Sequence, residues 1–245
     1  MEIIAEPPLT AELIRERHQG LLPRLREAAQ GGGHDPDRLR IVAVTKTWPV
    51  EVCQAALDAG IGMLGENRVQ EAEPKIARLP DADWHLVGHL QSNKARRAVR
   101  AFAVIHSIDS VELLRRVDEI AHDEGRRPRV LLEVNLSGET TKAGFEPEAF
   151  EGDARDRSSE LVAALREVRT AQVVGLMTMA RLGAVGEEAR AAFRRLRTMR
   201  DRLRDSSGLE LPELSMGMTV DAEDAAAEGA TLVRIGTALF GPRRE

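Results

Sequence analysis

The chain has 245 residues, 31% of them charged and 42% hydrophobic, with a formal net charge of −5. That length suits one large domain with a full core, needing no disulfide or metal staple. The acidic balance argues against binding along a nucleic-acid backbone, and a single cysteine, Cys53, excludes an internal disulfide and a thiolate metal cluster, which makes a reducing compartment the default.

The N-terminus carries acids and prolines where a signal peptide needs a basic start and an apolar run, and no stretch is apolar for long enough to span a bilayer. A cytoplasmic protein without membrane contact is expected. Residues 10–29 read as a helix opened by Thr10, with Leu13, Ile14, Leu21, Leu22 and Leu25 on one face. Gly20 and Pro23 inside it predict a kink or a break.

After Gly31-Gly32-Gly33, short apolar runs alternate with amphipathic helical stretches, the pattern of βα units on a parallel sheet. The runs are Ile41–Thr45, Ile61–Leu64, Trp84–Val87, Ala103–His106, Val130–Val134, Val173–Met177, Glu213–Met216 and Leu232–Ile235. Helices are predicted near 50–59, 68–78, 92–100, 110–123, 158–169, 187–204 and 221–228, with Ser92, Ser110 and Asp221 as N-caps. Eight runs with interleaved helices predict a single-domain (β/α)8 TIM barrel over 1–245, with the extra N-terminal helix covering the remaining gap. An open doubly wound sheet is the competing topology. The polar stretch Glu151–Ser159 reads as a loop insertion.

In an α/β barrel the reactive groups sit beyond the carboxyl ends of the strands. Lys46 falls there, directly after the first strand, and the chain has three other lysines, Lys75, Lys94 and Lys142. It reads either as a solvated strand-end lysine or as an amine whose desolvation lowers its pKa and frees it to attack a carbonyl. The loops after strands seven and eight, the usual phosphate site of such barrels, are Ser215-Met216-Gly217-Met218-Thr219 and Arg234-Ile235-Gly236-Thr237. Gly217 and Gly236 allow close backbone approach, and Ser215 and Thr237 add hydroxyls, a set suited to a phosphate monoester. Asp221 follows as a helix cap. His85, His89 and His106 read as packed or hydrogen-bonded histidines, and no HExxH-type metal spacing occurs. Met177, Met179, Met216 and Met218 fit ordinary packing or an apolar wall beside a bound ring.

Several stretches, in this order, carry a resemblance: Val42-Ala43-Val44-Thr45-Lys46, Gly65-Glu66-Asn67-Arg68-Val69-Gln70-Glu71, the run Trp84–Lys94, Gly175-Leu176-Met177-Thr178-Met179, Ser215-Met216-Gly217-Met218, and Arg234-Ile235-Gly236-Thr237-Ala238-Leu239-Phe240-Gly241. Together they span residues 42 to 241 and resemble the pyridoxal 5′-phosphate (PLP) homeostasis family, the YggS-like proteins. The resemblance implies the barrel of alanine racemase, with PLP held as a Schiff base on Lys46. It implies phosphate contacts from Ser215, Gly236 and Thr237, Arg234 facing the pyridine nitrogen, and Asn67 and Met177 around the ring. Thr219 replaces the serine more usual at its position and keeps the hydroxyl.

The implied function is an intracellular carrier or buffer of vitamin B6, acting as a monomer, with PLP-dependent apoenzymes as recipients and without substantial turnover. The 245 residues contain neither a tyrosine nor a second β domain past the eighth strand, so the second base of a racemase is missing from them. The rival readings are a PLP-dependent racemase-like enzyme, a cofactor-free Schiff-base aldolase, and a barrel binding another phosphate compound without covalent chemistry.

Overall fold

Eight short parallel strands close on themselves in sequence order in the computed structural model, which describes residues 9–138, 143–151 and 160–242. They are β1 (Arg40–Val44), β2 (Met63–Glu66), β3 (Asp83–Leu86), β4 (Val104–Ile108), β5 (Arg129–Glu133), β6 (Gln172–Met177), β7 (Glu213–Ser215) and β8 (Leu232–Ile235). β8 pairs back onto β1, with Val42 opposite Arg234, so no sheet edge is left open. The (β/α)8 barrel is thus the observed architecture, and the open doubly wound alternative is excluded. Outside it lie α1 (Ala11–Gly31), α2 (Val50–Asp58), α3 (Val69–Arg78), α4 (Ala95–Ala101), α5 (Val111–Asp123), α6 (Glu148–Glu151), α7 (Glu160–Glu167), α8 (Glu187–Ser207), α9 (Ala222–Ala227) and α10 (Thr237–Phe240). No helix among the described residues is long and apolar enough to cross a membrane.

Side-chain alternation divides each strand between two cores. Ile41 and Ala43 of β1, Val130 and Leu132 of β5, and Val233 and Ile235 of β8 pack outward beneath the helices. Val42 meets Leu232 and Val87 in one inner cluster, and Val104, Leu131 and Met177 form another. Two register shifts alter this alternation. One extra residue in β6 opposite Val130/Leu131 brings both Val174 and Met177 to the same inner cluster, and a shift in β4 leaves Ile105 and Ile108 both on the outer side of His106. Bulges of this kind re-aim side chains beside functional sites. At the strand starts the inner positions are ionic: Arg40 pairs with Glu213 at 2.6 Å and Arg129 with Asp83 at 3.0 Å.

The N-terminal helix differs from expectation in one respect. Thr10 caps it, its hydroxyl accepting from the Leu13 amide at 3.3 Å, but α1 runs unbroken for 21 residues through Gly20 and Pro23. Buried Ile14, Leu25 and Ala29 seat it against α9, α2 and α10 across the β8–β1 seam. That packing outweighs the hydrogen bond lost at proline. Of the other predicted caps, Ser110 is one (Leu113 amide to its hydroxyl, 3.2 Å). Ser92 instead begins a 3-10 turn, Ser92–Lys94, and caps nothing. Asp221 precedes α9, and its carbonyl accepts from the Ala225 amide at 2.9 Å, but its side chain does not cap the helix, because the carboxylate accepts from the Met218 amide behind it. The predicted insertion at 151–159 lies, past Glu151, outside the described residues, as does Lys142.

Candidate functional site

The end of β1 is held by a buried polar clamp. The Thr45 carbonyl accepts from the Trp48 amide (3.1 Å) and from Lys75 Nζ (3.0 Å), so both of its lone pairs are used. Lys75 also donates to Glu66 Oε1 at 2.7 Å, and the Thr45 hydroxyl donates to the same oxygen at 2.6 Å. Burial pushes the Glu66 carboxyl up from its ordinary value, while hydrogen bonds from Lys75 and Thr45 pull it back down. This clamp fixes a tight turn in which Thr47 adopts a φ of 68°, left-handed and strained for a β-branched residue. Lys46 leaves the strand from within that turn.

Partly buried Lys46 lines a cleft at the carboxyl end of the barrel. Its walls are apolar on several sides: Val44, Trp48, Val87, Met179, Met218 and Val220. Asn67, Thr219, Arg234, Gly236 and Thr237 supply the polar surface. Asn67 is set by a close approach of two loops. A Cβ at Gly88 would stand 2.4 Å from the Asn67 carbonyl oxygen, so the loop after β3 can lie on the loop after β2 only with glycine there. Gly217 has the same kind of requirement after β7, with a φ of 88° and Ala225 where a side chain would go. Beyond it the Asp221 carboxylate takes the Met218 amide at 2.6 Å, and the Thr219 hydroxyl receives the Ala238 amide at 3.4 Å. The loops after β7 and β8 are thereby tied together, with two hydroxyls, those of Thr219 and Thr237, on the cleft wall.

Arg234 forms part of the floor and is 5% exposed. Its NH1 donates to Ser215 Oγ at 2.6 Å and its NH2 to the Thr178 carbonyl at 2.8 Å. Burial lowers its pKa to about 10, against the pull of Asp221 and Glu133, and it stays cationic at neutral pH. Glu133 is buried nearby with Oε2 unpartnered; burial first, then the Asp109 charge, push its carboxyl up to about 7 while Arg234 draws it down. The cleft therefore presents two basic groups, an amine and a guanidinium, to whatever it holds.

Five of the seven predicted site residues, Lys46, Asn67, Arg234, Gly236 and Thr237, meet in this cleft. Two do not. Ser215 is fully buried, its hydroxyl engaged by Arg234 and by His106 Nδ1 (2.8 Å), so it supports the floor rather than facing the cleft. Met177 is 1% exposed, turned into the barrel by the β6 irregularity to pack on Val104 and Leu131. Met216 is buried too, whereas Met179 and Met218 line the cleft. Trp48 and Val220 were missed; a turn tryptophan two residues past the lysine was the signal available. His89 is half exposed, sits 3.2 Å from Asp109, and lines an adjoining depression that shares Asn67 with the cleft and also contains Lys94. Among the described residues no group of His, Cys, Asp and Glu could hold a metal ion.

The family model for the alanine racemase N-terminal domain matches residues 27–244. The pyridoxal phosphate homeostasis protein of Aquifex aeolicus is 38% identical over 231 residues, covering 94% of this chain and 98% of its own sequence. That of Pseudomonas aeruginosa is 40% identical over 233 residues, covering 94% and 96%. Among solved structures, PipY of Synechococcus elongatus with PLP bound is 41% identical, with a TM-score of 0.78 over 93% of this chain and all of that one. An alanine racemase from Clostridium difficile, 18% identical, shares the fold with a TM-score of 0.68, covering 91% of this chain and 58% of its own.

Proposed function

Because the chain belongs to the pyridoxal phosphate homeostasis protein family, built on the alanine racemase N-terminal domain, we propose that it holds PLP at the barrel mouth and buffers or hands on the cofactor within the cytoplasm. The observation that carries this reading is one cleft shared by a strand-end lysine, a buried guanidinium and the hydroxyl-bearing loops after β7 and β8. The donor set fits the group. Apolar walls suit a planar ring, two basic side chains suit an anionic ligand, and an amine suits an aldehyde.

When bound, PLP supplies an electrophilic aldehyde and an electron-withdrawing ring. Lys46 Nζ joins the aldehyde carbon as a Schiff base, with loss of water. Thr237 and Thr219 donate hydroxyls to the phosphate beside the backbone of Gly236, and Thr219 takes the part first expected of Ser215. Asn67 borders the ring. Arg234 donates an N–H to the ring nitrogen and, having no proton to release, keeps it unprotonated, which weakens the ring as an electron sink.

Losing one charge-assisted hydrogen bond costs about 1.5–3 kcal/mol, so Thr237→Ala and Thr219→Ala are expected to weaken PLP binding about tenfold or more. Pyridoxal, which lacks the phosphate, should be little affected. Equal losses for both ligands would show that these hydroxyls act elsewhere.

The carrier reading, in which PLP-dependent apoenzymes receive the cofactor from a monomeric donor, also makes a negative prediction. Racemisation needs a base on each face of the α-carbon. Lys46 supplies one; the 245 residues contain no tyrosine, and His89 lines the adjoining depression rather than the cleft itself. PLP-loaded protein incubated with a panel of L-amino acids in D2O is expected to give no inversion above a free-PLP control. Inversion abolished by Lys46→Ala would make the protein a racemase.

A further inference from the structure

Beneath the cleft a line of polar side chains crosses the barrel interior, each buried among apolar neighbours. Arg234 NH1 lies 2.6 Å from Ser215 Oγ, which lies 2.8 Å from His106 Nδ1. His106 Nε2 lies 2.8 Å from His85 Nδ1. His85 Nε2 has no nearer partner than Asp83 Oδ2, at 3.4 Å, and Asp83 is paired with Arg129 at the strand starts. Ser215, His106 and His85 are 0–1% exposed. The row thus joins the guanidinium in the cleft floor to a carboxylate at the opposite rim.

Proton bookkeeping allows this row one complete arrangement. Arg234 can only donate, so Ser215 Oγ accepts from it; Asp83, held down to about 2 by its hydrogen bond with His85 and by Arg129, can only accept. If His106 carries its proton on Nε2, it donates to His85 Nδ1, accepts the Ser215 hydroxyl on Nδ1, and His85 Nε2–H faces Asp83. Every donor then has an acceptor. With the proton on His106 Nδ1, the Ser215 hydroxyl hydrogen has no acceptor among its contacts, and a bare His85 Nε2 lone pair faces a carboxylate. Adding a proton to either ring would bury a second cation in line with Arg234. Burial lowers the pKa of His85 against the pull of Asp83, and burial together with the Arg234 charge holds His106 well below its ordinary value.

We propose that His106 and His85, as neutral Nε2–H tautomers, form with Ser215 a one-way hydrogen-bonded relay from Arg234 to Asp83, and that they are positioning residues for the cleft guanidinium. The relay fixes Ser215 as an acceptor towards Arg234. Two of the guanidinium's five N–H groups are then committed, to Ser215 and Thr178, and its orientation towards the cleft is set. Relevance to PLP rests on the function proposed above; the tautomers do not.

The test has two parts. Nitrogen-15 NMR of the histidine rings in the cofactor-free protein at pH 7 is expected to find His85 and His106 neutral, protonated on Nε2. A proton on Nδ1 of either ring, or a charged ring, overturns the relay, whether or not the wild-type chain binds PLP. In the second part Ser215→Ala and His106→Leu are compared with His106→Asn, whose amide oxygen can replace the Nδ1 acceptor. The first two are expected to bind PLP about tenfold more weakly, the worth of one hydrogen bond to a charged group, with a displaced absorbance maximum, and His106→Asn to recover most of both. Folded variants that all match the wild type, or all lose binding equally, overturn the positioning role. Failure of the wild type itself to take up PLP counts against the proposed function, and the ring tautomers still decide the relay.

Discussion

Lys46→Ala is expected to abolish the borohydride-fixed pyridoxyl label completely while leaving the melting temperature nearly unchanged. The wild-type protein, reduced with PLP and digested, should carry the label on the peptide containing Lys46. The other lysines are poor competitors for physical reasons. Lys75 is buried, with its side-chain nitrogen donating to Glu66 and to the Thr45 carbonyl, so it is neither accessible nor uncommitted. Lys94 borders the adjoining depression beside His89 and does not line the cleft. The melting temperature, measured on the same samples, separates loss of label by lost chemistry from loss by unfolding. A label chiefly on Lys94 or Lys142 would overturn the assignment.

Lys75→Met should be the most damaging single change to stability outside the apolar core. It leaves the Glu66 carboxylate buried without its cation, a loss of about 3–5 kcal/mol. For a chain of this size that is a fall of about 10 °C in melting temperature. The deficit should depend on pH in a stated direction. Burial already raises the Glu66 carboxyl in the folded protein, and removing Lys75, which lowers it, raises it further. A carboxyl whose folded pKa lies above its unfolded value opposes folding when ionised and ceases to do so once protonated. The variant should therefore recover relative to the wild type as pH falls towards the unfolded carboxylate range, and Glu66→Gln/Lys75→Met should recover much of the loss at neutral pH. Thermal unfolding of the three proteins across that range checks it; a deficit independent of pH would show that the damage comes from packing. The same change removes one of the two donors to the Thr45 carbonyl, so it should also loosen the turn that carries Lys46.

The sequence made the barrel legible because its strands are short, buried and evenly interrupted. Each of the eight runs overlaps an observed strand, shifted by two residues at most at the start. Misses fell where a local rule met a tertiary contact: Pro23 stays helical under packing, and Asp221 spends its carboxylate oxygen on Met218 instead of on its helix. For the site, a motif locates loops but not the direction of a side chain. Ser215 and Thr219 stand four residues apart in one loop, and either hydroxyl suits a phosphate on paper. Only the pairing of β7 with its neighbours turns Ser215 under Arg234 and leaves Thr219 on the wall. Met177 was misjudged because a one-residue irregularity in β6 is invisible to a period-two pattern. The histidines were expected to be hydrogen-bonded, but that His85 and His106 meet each other depends on strand register, which periodicity does not carry.

The ionic pairs Arg40–Glu213 and Arg129–Asp83, with Val42, Leu232, Val104 and Leu131 packed above them, leave the barrel blind-ended. Among the described residues a small molecule held beside Lys46 would find no way out through the filled barrel, so arrival and departure would share the open mouth as a doorway. Traffic through such a vessel is exchange, never flow. An acceptor protein standing across the doorway would shut out new cargo for as long as it waited, and one standing away from it would compete with open water for whatever emerged. Speed of delivery would then be set by how long the doorway stays clear.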